Sequence, residues 1–140
     1  MRRWILLLFA IPCFAQFREL RFDVRGTECI SCNASLPERL KRIRGVESVN
    51  VEGNTVSMKF AAENRVRFEQ VRDMIEQDGT KVKAASFVGQ GKHDGDSFKV
   101  GTTEFALPAG VNLPADEIVL RAKVLDPHGK PIPIGEAKLE

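Results

Sequence analysis

Cysteine and histidine are scarce in this chain of 140 residues, which contains three cysteines and two histidines. So few cysteines cannot build a framework of several disulfide bridges, and the fold must therefore come from an ordinary hydrophobic core. Neither His93 nor His128 has a second ligand at metal-site spacing, so we expect both to be surface loop residues rather than ligands. Apart from one cysteine pair, no residues converge on recognisable chemistry, and we do not expect an enzyme.

The first residues predict export. Arg2 and Arg3 precede an uncharged apolar run from Trp4 to Ala15, and small residues, Cys13 and Ala15, stand at the −3 and −1 positions of the predicted cleavage site. This pattern is typical of a signal peptide, residues 1–15, with cleavage after Ala15 and a periplasmic or secreted product. The run is shorter than the roughly 20 residues that a membrane span needs. Lipid modification of Cys13 is an alternative, although Pro12 stands where a small residue is expected.

Cleavage would change both the cysteine count and the charge. Cys13 leaves with the signal, and loss of Arg2 and Arg3 reduces 21 basic residues to 19, equal to the 19 acidic ones. A neutral mature chain has no electrostatic reason to bind nucleic acid or anionic membranes. We interpret the basic clusters at 41–44 and 65–72 as solvated helix faces.

Hydrophobic periodicity organises residues 17–88. Leu20, Phe22 and Val24 alternate with charged residues, which predicts a strand. Two helices are predicted by apolar residues at helical spacing, and two strands between them are joined by a Gly53-Asn54 turn. A further strand follows the second helix. The apolar helix positions are Leu36, Leu40, Ile43, Phe68, Val71 and Ile75. The order βαββαβ predicts an α+β fold, a ferredoxin-like sandwich in which two helices cover one face of a sheet.

Cys29 and Cys32 are the candidate site. They lie in the segment Gly26-Thr27-Glu28-Cys29-Ile30-Ser31-Cys32, between the first predicted strand and the first predicted helix. Two thiols at this spacing can bind one soft metal ion or form a disulfide. Closed zinc sites need four donors, whereas two thiolates suit Cu(I), our first choice, or Hg(II).

The motif and the element order together resemble the heavy-metal-associated domain family, which includes copper chaperones and periplasmic mercury-binding proteins. Gly26, Cys29 and Cys32 match the family's motif, and the resemblance covers residues 17–88. It implies a carrier that holds one ion for sequestration or handover, with a metal transporter or another metal-binding domain as partner. Thr27 replaces the family's usual Met, and Thr80 stands where relatives often have Lys or Tyr, so the resemblance does not extend to these two positions.

Two questions stay open at the site. Ser35 and Glu38 form a capping-box pattern that places Pro37 in a first helical turn, but the helix could instead begin at Ser31 and bend. The alternative function is a thiol/disulfide protein or a non-metal interaction module with an oxidised Cys29–Cys32 pair, because exported cysteines meet an oxidising compartment.

The C-terminal part has a different composition. Residues 89–96 are polar and rich in glycine, which predicts a linker, and residues 97–140 form a small β-rich extension. Within it, residues 124–133 resemble the opening hairpin of bacterial β-sandwich modules of the carboxypeptidase-regulatory type. We expect this appendage to pack on the first domain, to pair with another chain or to be partly mobile.

Overall fold

The computed structural model describes residues 16–25, 35–77, 80–114 and 117–140, which form two helices and eight strands. In chain order the elements are β1 (Gln16–Arg25), α1 (Ser35–Lys41), β2 (Val46–Glu52), β3 (Thr55–Phe60), α2 (Phe68–Glu76), β4 (Lys81–Asp94), β5 (Ser97–Val100), β6 (Thr103–Ala106), β7 (Ile118–Val124) and β8 (Ile132–Leu139).

Local pattern explains most of these elements. In β1 the buried Leu20, Phe22 and Val24 alternate with exposed charged residues, as expected for a strand with one face on the core. The β2–β3 hairpin turns at Gly53, which has φ +56°, a left-handed conformation that glycine adopts without steric cost. In α2 the buried residues Phe68, Val71 and Ile75 recur at helical spacing.

One long strand connects the two halves of the sheet. The strand order is β2-β3-β1-β4-β5-β6-β8-β7, and β4 also pairs with β7. Residues 81–90 of β4 pair with β1, residues 85–91 pair with β7 on the other edge, and residues 92–94 pair with β5. The additional pairing closes β4, β5, β6, β8 and β7 into a five-stranded barrel.

The fold class predicted from the sequence, an α+β ferredoxin-like βαββαβ sandwich with a small appendage, is wrong. The described residues are mostly β, with 54% in strands and 14% in helices. The strands after β4 are not an appendage, because they complete a closed barrel of which β4 is itself a member. Closure satisfies strand edges that a short separate extension would leave unpaired.

The predicted linker at residues 89–96 is also wrong, because it forms the second half of β4 and the turn into β5. Its glycines allow close packing. A Cβ at Gly89 would lie 3.2 Å from Val100 Cγ2, and one at Gly91 would overlap the backbone carbonyl of Lys99. Glycine in a strand interior can mark such an approach of two backbones as well as a flexible connection.

A continuous hydrophobic core runs through both halves of the described chain. Phe17 of β1 contacts Phe87 of β4 and Phe105 of β6 with ring centroids 5.7 Å and 6.1 Å apart. Phe105 also contacts Phe68 of α2 at 5.8 Å. Of the three arrangements expected for residues 97–140, the structure shows packing against the N-terminal part.

Candidate functional site

The predicted ligands Cys29 and Cys32 lie outside the described residues, but the elements on both sides of them are described. β1 ends at Arg25, which pairs in register with Lys81 of β4. On the other edge of β1, the Val24 N–H donates to the Asn54 carbonyl at 2.9 Å. The connection from residue 26 to residue 34 therefore starts from a strand that is held on both edges.

The far side of that connection is anchored by α1. Leu36 and Leu40, on one face of this helix, are 1% and 0% exposed, so α1 packs firmly on the core. The description of α1 begins at Ser35, with Pro37 in its first turn. A start at Ser31 falls outside the described residues, and the two predicted helix starts stay open.

Lys81 faces away from the core side of β4. Val82 is 4% exposed, and Lys81 and Lys83 on either side of it are exposed. Since side chains alternate along a strand, Lys81 points to the face opposite Val82. Thr80 is half-buried just before the strand.

The two histidines occupy different environments. His128 is exposed in the connection between β7 and β8, as predicted, and its Nε2 lies 2.7 Å from Glu76 Oε1 of α2. His93 was predicted in a loop, but it is a half-buried residue of β4 that pairs in register with Phe98. Within the described ranges, no group of three or more His, Cys, Asp or Glu residues could hold a metal ion.

A cavity of about 510 Å³ is lined by residues that the sequence alone did not single out. Its lining combines the α1–β2 connection, the β3–α2 connection and the first turn of α2: Ile43, Arg44, Glu63, Asn64, Arg65 and Gln70. The basic clusters that contain Arg44 and Arg65 were interpreted as solvated helix faces. Both residues are exposed, but they lie in connections and face one cavity. Because the two connections are distant in sequence, no local pattern indicated that they border the same cavity.

Asn64, a buried residue of the cavity lining, is held by four hydrogen bonds. Its Nδ2 donates to the Phe17 and Ala61 carbonyls at 2.9 Å, and its Oδ1 accepts from the Val66 N–H at 3.3 Å. Its own backbone N–H donates to Gln16 Oε1 at 2.9 Å. A buried amide with this many partners holds its backbone in one conformation.

An exposed ion pair joins Arg121 of β7 to Glu140, the residue after β8. Arg121 Nε and Nη2 donate to the two carboxylate oxygens of Glu140 at 2.9 Å and 3.0 Å. This bidentate hydrogen bonding lowers the pKa of the Glu140 carboxyl and raises the pKa of Arg121.

Comparisons with protein-family models, with curated proteins and with solved structures found no match. No helix among the described residues is long and apolar enough to cross a membrane.

Proposed function

We propose that this chain binds one soft metal ion, Cu(I) or Hg(II), between the thiolates of Cys29 and Cys32. The observation that carries the proposal is the Cys-x-x-Cys spacing within a connection of nine residues, 26–34, that joins two anchored elements. Soft thiolates select such ions over zinc, which needs more donors than this pair supplies.

The anchoring of the flanks supports a carrier role. Strand β1 pairs with both β3 and β4, and α1 buries Leu36 and Leu40, so both elements that flank the cysteines are held in the described core. An ion held by two thiolates keeps an open coordination sphere, and a thiolate of a partner can attack it directly. The partner in this proposal is a metal transporter or another metal-binding domain, and the compartment is the periplasm or the outside of the cell.

Competition among metals tests the proposal. The reduced full chain is offered Cu(I), Hg(II) and Zn(II) together, and bound ions are counted by native mass spectrometry. We expect one Cu(I) or Hg(II) per chain and much weaker zinc uptake. Cys29→Ser and Cys32→Ser should each abolish tight binding.

Cys13→Ser provides the matched control, because it removes the third cysteine of the chain without touching the pair. It should bind metal as the parent does, and so should His93→Ala and His128→Ala. Retained tight binding in either Cys29→Ser or Cys32→Ser would overturn the ligand assignment. A chain isolated from its host compartment with a complete Cys29–Cys32 disulfide and no metal would favour the thiol/disulfide alternative.

A further inference from the structure

Opposite charges face the 510 Å³ cavity without pairing. Glu63 lines the same space as Arg44 and Arg65, yet within the described part of the chain none of the three has an ion-pair partner within 4.0 Å. Two surface cations elsewhere, Arg121 and Lys123, do have carboxylate partners, Glu140 at 2.9 Å and Glu136 at 3.5 Å. Charges of both signs therefore border one cavity without an ion pair, and a bound molecule could pair with them.

The backbone beneath these charges is held by a hydrogen bond and by close packing. Ala61 N–H donates to the Gly45 carbonyl at 2.7 Å, which ties the two connections together. Gly45 has φ +97°, and a Cβ there would overlap the Cβ of Asn64, so the two connections are in direct contact. Since the frame is formed in advance, a ligand would need to order only the exposed side chains, which reduces the cost of binding.

We propose that this cavity binds a small zwitterion of the α-amino acid class. The two guanidinium groups of Arg44 and Arg65 would hold the carboxylate, because the planar fork of arginine matches a carboxylate in two-point hydrogen bonding. Glu63 would hold the ammonium group. The carboxamide of Gln70 offers one more donor and acceptor, and the apolar surface of Ile43, which also lines the cavity, would contact the side chain of the ligand.

Size and charge favour this class over a simple anion. Pockets for small molecules measure about 300–1,000 Å³, and the cavity lies within that range. A phosphate group would bring a second negative charge close to Glu63, which repels it. A molecule with both signs of charge uses all three ionic side chains.

The inference uses none of the residues of the proposed metal site. The described lining of the cavity contains no cysteine, and its Asn64 N–H donates to Gln16 Oε1 in the first residue of β1. Amino acid binding should therefore not require metal, and failure of one proposal leaves the other intact.

Calorimetric titration of the full chain tests the inference. The probes are the common L-amino acids, each with its N-acetyl and methyl ester derivatives, and inorganic phosphate. We expect saturable binding of at least one amino acid at one site. Acetylation or esterification of that amino acid should weaken binding by about tenfold or more, as expected for loss of a charge-assisted hydrogen bond.

Charge-removing variants assign the roles. Arg44→Gln and Arg65→Gln should each weaken amino acid binding by about tenfold, and Glu63→Gln should abolish the preference over the N-acetyl derivative. Arg67→Gln is the matched control, because Arg67 is an exposed residue of the same connection that does not line the cavity. It should bind as the parent does. Circular dichroism confirms that each variant is folded.

Three outcomes would overturn the inference. One is absence of saturable heat for every amino acid at millimolar concentration. Another is unchanged binding in Arg44→Gln, Arg65→Gln and Glu63→Gln. The third is phosphate binding at least as tight as that of any amino acid and strengthened by Glu63→Gln, which would identify a site for simple anions.

Discussion

The hydroxyl of Thr103 in β6 accepts a hydrogen bond of 3.1 Å from the backbone N–H of Phe68, the first residue of α2. The same hydroxyl donates to Glu69 Oε2 at 3.1 Å, and Thr103 is 0% exposed. The residue before α2, Arg67, provides no side-chain cap. A barrel strand therefore caps a helix that lies 35 residues earlier in the chain.

Thr103→Val should destabilise the protein by about 1–2 kcal/mol, because it leaves the Phe68 N–H buried without an acceptor while it keeps the side-chain shape. Urea denaturation measures the change. Thr102→Val is the control, since Thr102 is the exposed neighbour and should change stability little. Equal stability of the Thr103→Val variant and the parent would show that the cap contributes nothing.

Gly91→Ala should destabilise the barrel by about 1–3 kcal/mol or more, the range typical of overpacking. The new Cβ would overlap the Lys99 carbonyl and lie 2.9 Å from the ring of Phe98, and a backbone atom in a strand cannot move aside easily. Gly89→Ala should cost less, because its nearest neighbour is a Val100 methyl group at 3.2 Å that can shift. Urea denaturation midpoints of the two variants measure this difference. The midpoint of Gly91→Ala should be lower than that of Gly89→Ala, and the reverse order would contradict the prediction.

The pair between Arg121 and Glu140 should be visible in a pH titration. Because Arg121 lowers the pKa of Glu140 below its ordinary value of 4.5, the stabilisation is present above that value and is lost as the pH falls through the lowered pKa. NMR of the Glu140 carboxyl carbon should give the lowered pKa in the parent and a value near 4.5 in Arg121→Gln. Lys138→Gln, on the neighbouring strand, should leave the lowered pKa in place.

The double variant Cys29→Ser/Cys32→Ser should stay folded. The described core is continuous without either cysteine, and both flanking elements are anchored in it. Its circular dichroism should match that of the metal-free parent, with a cooperative thermal transition. Metal should raise the stability of the parent alone, by about 2.7 kcal/mol at a hundredfold excess over Kd. An unfolded double variant would mean that the cysteines hold the fold together.

Leu40→Ala should cost roughly 2–5 kcal/mol, because Leu40 is 0% exposed in the contact of α1 with the sheet and its truncation leaves a cavity. Chemical denaturation gives the value. Lys41→Ala, at the exposed next position of the same helix, should change stability by less than about 0.5 kcal/mol. A similar loss in both variants would contradict the assignment of the buried face.

Local pattern in the sequence determined where the strands and helices lie. The alternation at Leu20, Phe22 and Val24 and the helical spacing of Phe68, Val71 and Ile75 depend only on near neighbours, and both elements form where predicted. The β-rich character predicted for residues 97–140 also agrees with the structure, because β5 to β8 lie there. The cysteine spacing likewise suffices for a metal-binding hypothesis, which stays a prediction.

Only the tertiary structure decided how these elements combine. From the neighbouring residues alone, Gly89 and Gly91 indicate a linker. In the structure β5 packs so close to both glycines that a side chain would not fit easily. The closure of the barrel by β4 and β7, the capping of α2 by Thr103 and the cavity that Arg44 shares with Glu63 and Arg65 all bring together segments that are distant in sequence. Such contacts depend on strand pairing and on packing, and no periodicity within a single segment encodes them.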